Sequence, residues 1–181
     1  MKLIALLSAL FVVAAAPAST PLGTGQDDFP KPGKEHEVLK KLAGEWTVTG
    51  KFLMDPNNPM EIKGTDSSKM DLNGFWLFSA FKGDFMGKPF EGRSTMGYSP
   101  FKQKYVGTWV DSFMPHVFAS EGEMDKDGKV LTMSVDGLDP VTGKPAKEKW
   151  VIEFKDENTH TFTFLDAKDK KTGEMVYTRK K

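Results

Sequence analysis

Four side chains that could do chemistry lie close together in one stretch: the carboxylates of Asp111 and Glu121, the hydroxyl of Ser112 and the imidazole of His116. A base, a nucleophile and an acid are the parts of a hydrolase. Such an enzyme also needs its serine on a strained turn, beside backbone N–H groups that hold an oxyanion. Ser112 has no glycine neighbours to form that nest, and Gly92-Arg93-Ser94-Thr95-Met96-Gly97 misses the Gly-x-Ser-x-Gly spacing. Residue types assign no roles without geometry, so catalysis is not the expectation. Metal chemistry has less support. The three histidines, His36, His116 and His160, form no His-x-x-His unit, and the chain has no cysteine. Asp125-Lys126-Asp127-Gly128 has the start of a calcium loop without its later glutamate, and reads as a hairpin turn.

A second kind of chemistry is binding. Residues two apart on a strand share a face, which groups Tyr105, Gly107, Trp109 and Asp111, then Phe90, Gly92, Ser94, Met96 and Tyr98, and later His160, Phe162 and Phe164. An apolar wall with a few polar groups is the composition of a small-molecule site. It is equally that of a packed core whose polar atoms are satisfied internally. If the faces enclose a site, the residues expected to line or rim it are Arg93, Tyr98, Tyr105, Trp109, Asp111, His116 and Glu121.

The elements that must position these groups follow from pattern and turn chemistry. Val38, Leu39 and Leu42 fall on one face of a helix over 34–42, with Glu37 and Lys41 at i,i+4 spacing. Period-two alternation then predicts about ten strands, at 45–53, 61–72, 75–82, 88–98, 104–112, 117–124, 130–136, 146–155, 159–167 and 174–179. Asn73-Gly74, Asp127-Gly128 and Thr172-Gly173 offer positive-φ turn positions. Asp55-Pro56-Asn57-Asn58-Pro59 and Asp139-Pro140-Val141-Thr142-Gly143 make longer loops. Strands joined by short turns pair in order, and a meander this long removes its two edges by closing. The predicted fold is a single all-β, antiparallel up-and-down barrel capped by one short N-terminal helix. Twelve of the fourteen phenylalanines belong to the barrel once Phe11 and Phe29 are set aside, enough to fill much of its interior. Barrels beyond eight strands have more room, so a filled and a hollow interior both remain open.

Lys2, the apolar run after it and Ala16-Pro17-Ala18 read as a signal peptide over 1–18, which places the chain outside the cytoplasm, in the periplasm or the medium. A Pro- and Gly-rich leader follows over 19–33, then the barrel over 34–181. No later run is long and apolar enough for a spanning helix, so no membrane span is expected in the mature chain. The 25 basic and 25 acidic residues balance, which argues against a nucleic-acid partner.

Gly44-Glu45-Trp46 after a short helix is similar to the opening of the calycin barrels: lipocalins, fatty-acid-binding proteins and nitrobindins. There the tryptophan is covered by a basic residue from the last strand, and Arg179 stands at that place. A wider likeness runs through Gly87-Lys88-Pro89-Phe90-Glu91-Gly92, Met96-Gly97-Tyr98, Lys104-Tyr105-Val106, Trp109-Val110-Asp111-Ser112, Ser120-Glu121-Gly122 and Tyr177-Thr178-Arg179-Lys180. On these blocks the chain resembles the exported bacterial family called domain of unknown function fifteen seventy-nine. The resemblance implies a calycin-like barrel and carries no activity. Nitrobindin-like barrels hold haem through a late histidine. His160 is the counterpart here, but its surroundings do not match that family's blocks, and no cofactor is expected.

The expectation is therefore a protein that binds a small apolar or amphipathic molecule in or at the mouth of its barrel. The alternative is a non-catalytic cell-envelope interaction module using Met54, Met60, Met70, Met86, Met114 and Met124 near strand ends as an adaptable surface.

Overall fold

The computed structural model describes residues 30–181, apart from 54, 56, 86 and 139–142. The expected signal peptide, most of the leader, Met54, Met86 and most of the 139–143 loop lie outside the described residues.

Helix α1 (Lys34–Leu42) starts where the Gly33 N–H donates to His36 Nδ1 at 2.9 Å. Glu35 and Glu37 occupy its first turn and Lys40 and Lys41 its last, which suits the helix dipole. Leu39 and Leu42 are buried against Leu77, Tyr105, Leu131 and Ile152, so the helix plugs one end of the sheet that follows. Tyr105 Oη donates to the Glu35 carbonyl at 3.1 Å and holds it there. The ion pair expected between Glu37 and Lys41 is replaced by Glu37–Lys40 at 2.6 Å. Lys41 instead lies over the Phe154 ring, 5.4 Å from its centroid, where an aromatic face offers more than an exposed ion pair.

Ten strands follow: β1 (Gly44–Phe52), β2 (Met60–Asp71), β3 (Trp76–Phe85), β4 (Lys88–Ser99), β5 (Lys104–Asp111), β6 (Phe118–Met124), β7 (Val130–Leu138), β8 (Pro145–Asp156), β9 (Thr159–Leu165) and β10 (Lys171–Arg179). Each pairs antiparallel with the next, and β1 pairs with β10 through Trp46 opposite Arg179, so the barrel is closed and, among the described residues, leaves no strand edge unpaired. The β2–β3, β4–β5, β6–β7 and β8–β9 turns stand at the helix end.

At the helix end Trp46 is 2% exposed and its Nε1 donates to the Leu42 carbonyl at 2.9 Å. The Arg179 guanidinium lies 4.1 Å from the Trp46 ring centroid and donates to the carbonyls of Ala43 (2.8 Å) and Lys41 (3.0 Å). One arginine thus satisfies orphan carbonyls at the helix C-terminus and covers an aromatic face. Gly44 takes φ +139°, and a Cβ there would stand 2.2 Å from Arg179 Nη1, so the position requires glycine.

The turns at Asn73-Gly74 and Gly128 take positive φ. The turn expected at Thr172-Gly173 lies earlier. Asp166 accepts the N–H groups of Lys168 and Lys170, Asp169 carries φ +62°, and Thr172 and Gly173 belong to β10 beside a register shift. An aspartate side chain that closes its own turn outcompetes the Thr-Gly pair.

Candidate functional site

Which side chains face inward decides whether the barrel is filled. On β3, β4 and β6 the inner face carries Ser79, Ser94 and Ser120, while β8 and β9 present Trp150, Phe162 and Phe164. Small residues on one wall facing aromatic ones on the other leave a cavity of about 770 Å³. It runs from Trp46 and His160 near the helix end to Phe113, Met114 and Lys168 at the far end, where it opens. The phenylalanines therefore build a wall and a mouth. Phe113 packs on Phe85 and Phe90 at centroid distances of 5.6 and 5.1 Å.

Trp109 forms part of the wall near the mouth. Its Nε1 donates to Asp111 Oδ2 at 2.9 Å, and Asp111 Oδ1 accepts the N–H groups of Phe113 and Met114, both at 2.9 Å, fixing the loop after β5. The indole fits because residue 92 has no side chain: a Cβ on Gly92 would stand 2.0 Å from the Trp109 ring. Gly92→Ala is expected to push the indole aside, break its bond to Asp111 and cost about 1–3 kcal/mol. Chemical denaturation, with near-ultraviolet circular dichroism for the displaced indole, checks this. An unchanged midpoint and spectrum would show that the wall yields freely.

A second tryptophan–carboxylate pair stands on β8, where Trp150 Nε1 donates to Glu148 Oε2 at 3.2 Å. Burial raises the Glu148 pKa, and the indole bond lowers it in part. Deeper in, Ser68 Oγ donates to Asp66, and because that hydroxyl proton is committed, Ser79 donates to Ser68 at 2.6 Å. Burial pushes the Asp66 carboxyl up as well, against the Ser68 bond, and the charge of Glu45 adds to the rise. His160 is buried between Trp46 and Tyr177, with ring centroids at 4.5 Å to each. Desolvation, with a smaller contribution from the Arg179 charge, lowers its pKa to about 4, so the imidazole is neutral.

The seven residues expected to line or rim a site divide into four groups. Trp109 and Asp111 lie on the cavity wall. Tyr98 and Tyr105 pack with the core beneath the helix, 5.3 Å apart. Arg93 and Glu121 are corrected: both belong to the outer faces of their strands, Arg93 bonded to Glu91 and to the Gly92 carbonyl, Glu121 paired with Lys102 and Lys104. Odd and even positions of a strand face opposite ways, so Arg93 cannot share the wall with Gly92 and Ser94. His116 packs edge-on against Phe118 in the loop before β6. The group considered for hydrolysis is not gathered, because Ser112 Oγ accepts the Glu91 N–H at 3.1 Å and Glu121 faces away. Met70, Met114 and Met124 are partly buried and pack against the core.

Asp66 and Glu148 were missed, although alternation marks both. Ile62-x-Gly64-x-Asp66-x-Ser68 and Ala146-x-Glu148-x-Trp150-x-Ile152 each put a carboxylate on an otherwise apolar face.

The class of protein defined here is a closed antiparallel ten-stranded barrel, plugged by a helix at one end and hollow toward the other. The chain belongs to the family described as "Protein of unknown function (DUF1579)", whose model matches residues 31–179. No curated protein matches the sequence. Among solved structures it is similar to the S-type phycobiliprotein lyase CPES from Guillardia theta, at 12% identity and TM-score 0.56, covering 81% of this chain and 93% of that one. It is also similar to Rv2717c from M. tuberculosis, at 13% identity and TM-score 0.57, covering 82% and 99%. Likeness at these identities is likeness of fold.

Proposed function

We propose that this protein binds a small, largely apolar molecule inside its barrel, and that it does so outside the cytoplasm, as the signal-peptide reading of residues 1–18 implies. The cavity carries the proposal: about 770 Å³, walled by aromatic rings with a few polar groups, lies within the range of drug-sized ligand sites.

Native mass spectrometry of protein purified from its own host tests this. The expected result is a species heavier than the bare chain that loses a small molecule on activation. Ser94→Trp, which fills the wall, is expected to abolish that species and to weaken binding of the neutral probe N-phenyl-1-naphthylamine by about tenfold or more. A bare mass together with no probe response would remove the proposal.

A further inference from the structure

Below its mouth, the charged residues on the cavity wall are of one sign. Asp66, Asp111 and Glu148 line it from β2, β5 and β8, and the one imidazole among the lining residues, His160, is neutral. Lysines reach the mouth without entering: Lys147 is drawn to Asp136 on the outer face, while Lys168 and Lys170 stand on the β9–β10 turn. The three carboxylates are not equally available. Asp111 is occupied by three N–H donors, while Asp66, deeper in the barrel, accepts the Ser68 hydroxyl at Oδ1. Glu148 accepts one bond, at Oε2, and its Oε1 takes none among the described residues. That oxygen lies over Gly137, on the side of the wall where Phe118 packs. A Cβ on Gly137 would stand 3.2 Å from Glu148 Oε1 and 3.5 Å from the Phe118 ring, and Phe118 and Trp150 are 6.3 Å apart.

We infer that the molecule bound is an amphiphile whose polar group is a cation, an alkyl or aryl ammonium, seated at Glu148 beside Trp150 with its apolar body deeper in the barrel. This rests on the ligand-binding reading above and names the chemistry of its ligand. A carboxylate in an apolar wall with an open acceptor gains most from a positive partner, and ring faces add to that attraction. An anionic head would meet three carboxylates along the wall and would find lysines, Lys147, Lys168 and Lys170, only at the mouth.

Three probes that share one hydrocarbon body test the head group: decylammonium, decanol and decanoate. Each is titrated into the full chain at pH 7 below its micellar range and followed by calorimetry. Decylammonium is expected to bind about tenfold or more tighter than decanoate, with decanol between them. Glu148→Gln, which keeps the shape and can still accept the Trp150 N–H, is expected to erase most of that preference while leaving decanol within about twofold. Decanoate binding as tightly as decylammonium, or more tightly, overturns the inference and leaves the ligand-binding reading standing. A preference that survives Glu148→Gln overturns the seat at Glu148. Failure of all three probes to bind removes the reading itself, and the ratio in the parent protein decides the head group even if the variant folds poorly.

Discussion

Trp46→Ala is expected to cost roughly 3–5 kcal/mol, the range found when a buried aromatic side chain is cut to alanine. Trp46 is 2% exposed and is packed with Val48, Ile62, Phe81 and Met175, so its removal leaves a void that a closed barrel cannot collapse around. The loss extends beyond packing. The Leu42 carbonyl would lose its donor and the Arg179 guanidinium its ring, so the helix end and the strand closure weaken together. Urea denaturation of parent and variant measures this. Trp46→Phe, which retains most of the volume and lacks the indole N–H, is expected to lose less, about 1 kcal/mol of it from the unpaired carbonyl. A Trp46→Ala protein as stable as the parent would mean that the barrel closes without this anchor.

The second large effect is in pH. His160 has a pKa of about 4 in the folded protein against an ordinary value of 6.5, because burial opposes its charged form. Above 6.5 the imidazole is neutral in both states and its contribution is complete. As pH falls from 6.5 toward 4 the unfolded chain takes up a proton that the folded protein refuses, and stability declines by roughly 3 kcal/mol. Asp66 acts in the opposite sense. Its raised pKa lets the folded protein hold a proton that the unfolded chain has lost, so acid favours the fold and offsets part of the decline. The difference between the parent and His160→Phe isolates the histidine. The parent should lose stability relative to the variant across that window, as read from urea midpoints at successive pH values. Parallel curves would show that the imidazole protonates without cost in the fold.

Much of this architecture is legible in the sequence because it rests on local rules. Period-two alternation bounded by turn residues locates ten strands, and a helix face with Leu39 and Leu42 locates the plug. The pairing of Trp46 with Arg179 is legible for a different reason, through the resemblance of Gly44-Glu45-Trp46 and the terminal arginine to a known barrel opening. What alternation does not reveal is how side chains from different strands meet. The cavity exists because Ser79, Ser94 and Ser120 face Phe162 and Phe164 across the barrel, and that depends on closure and register, which no single strand records. Arg93, one position from Gly92 and Ser94, is turned to the outer face by the same alternation. The β9–β10 turn was misplaced because Thr172-Gly173 has turn composition, whereas Asp166 has the hydrogen bonds.

The closure between β1 and β10 also sets an order of events. Arg179 reaches the Ala43 carbonyl across 136 positions of the chain, and the first strand has no second neighbour until the last is made. Contacts that distant are slow to form, because the intervening segment must be brought together before they repay the entropy lost. A nascent chain that has not yet released residues 171–179 carries two unsatisfied strand borders, β1 and β9, each able to recruit a foreign strand. Completion of the final strand therefore marks the moment at which the polypeptide ceases to be sticky.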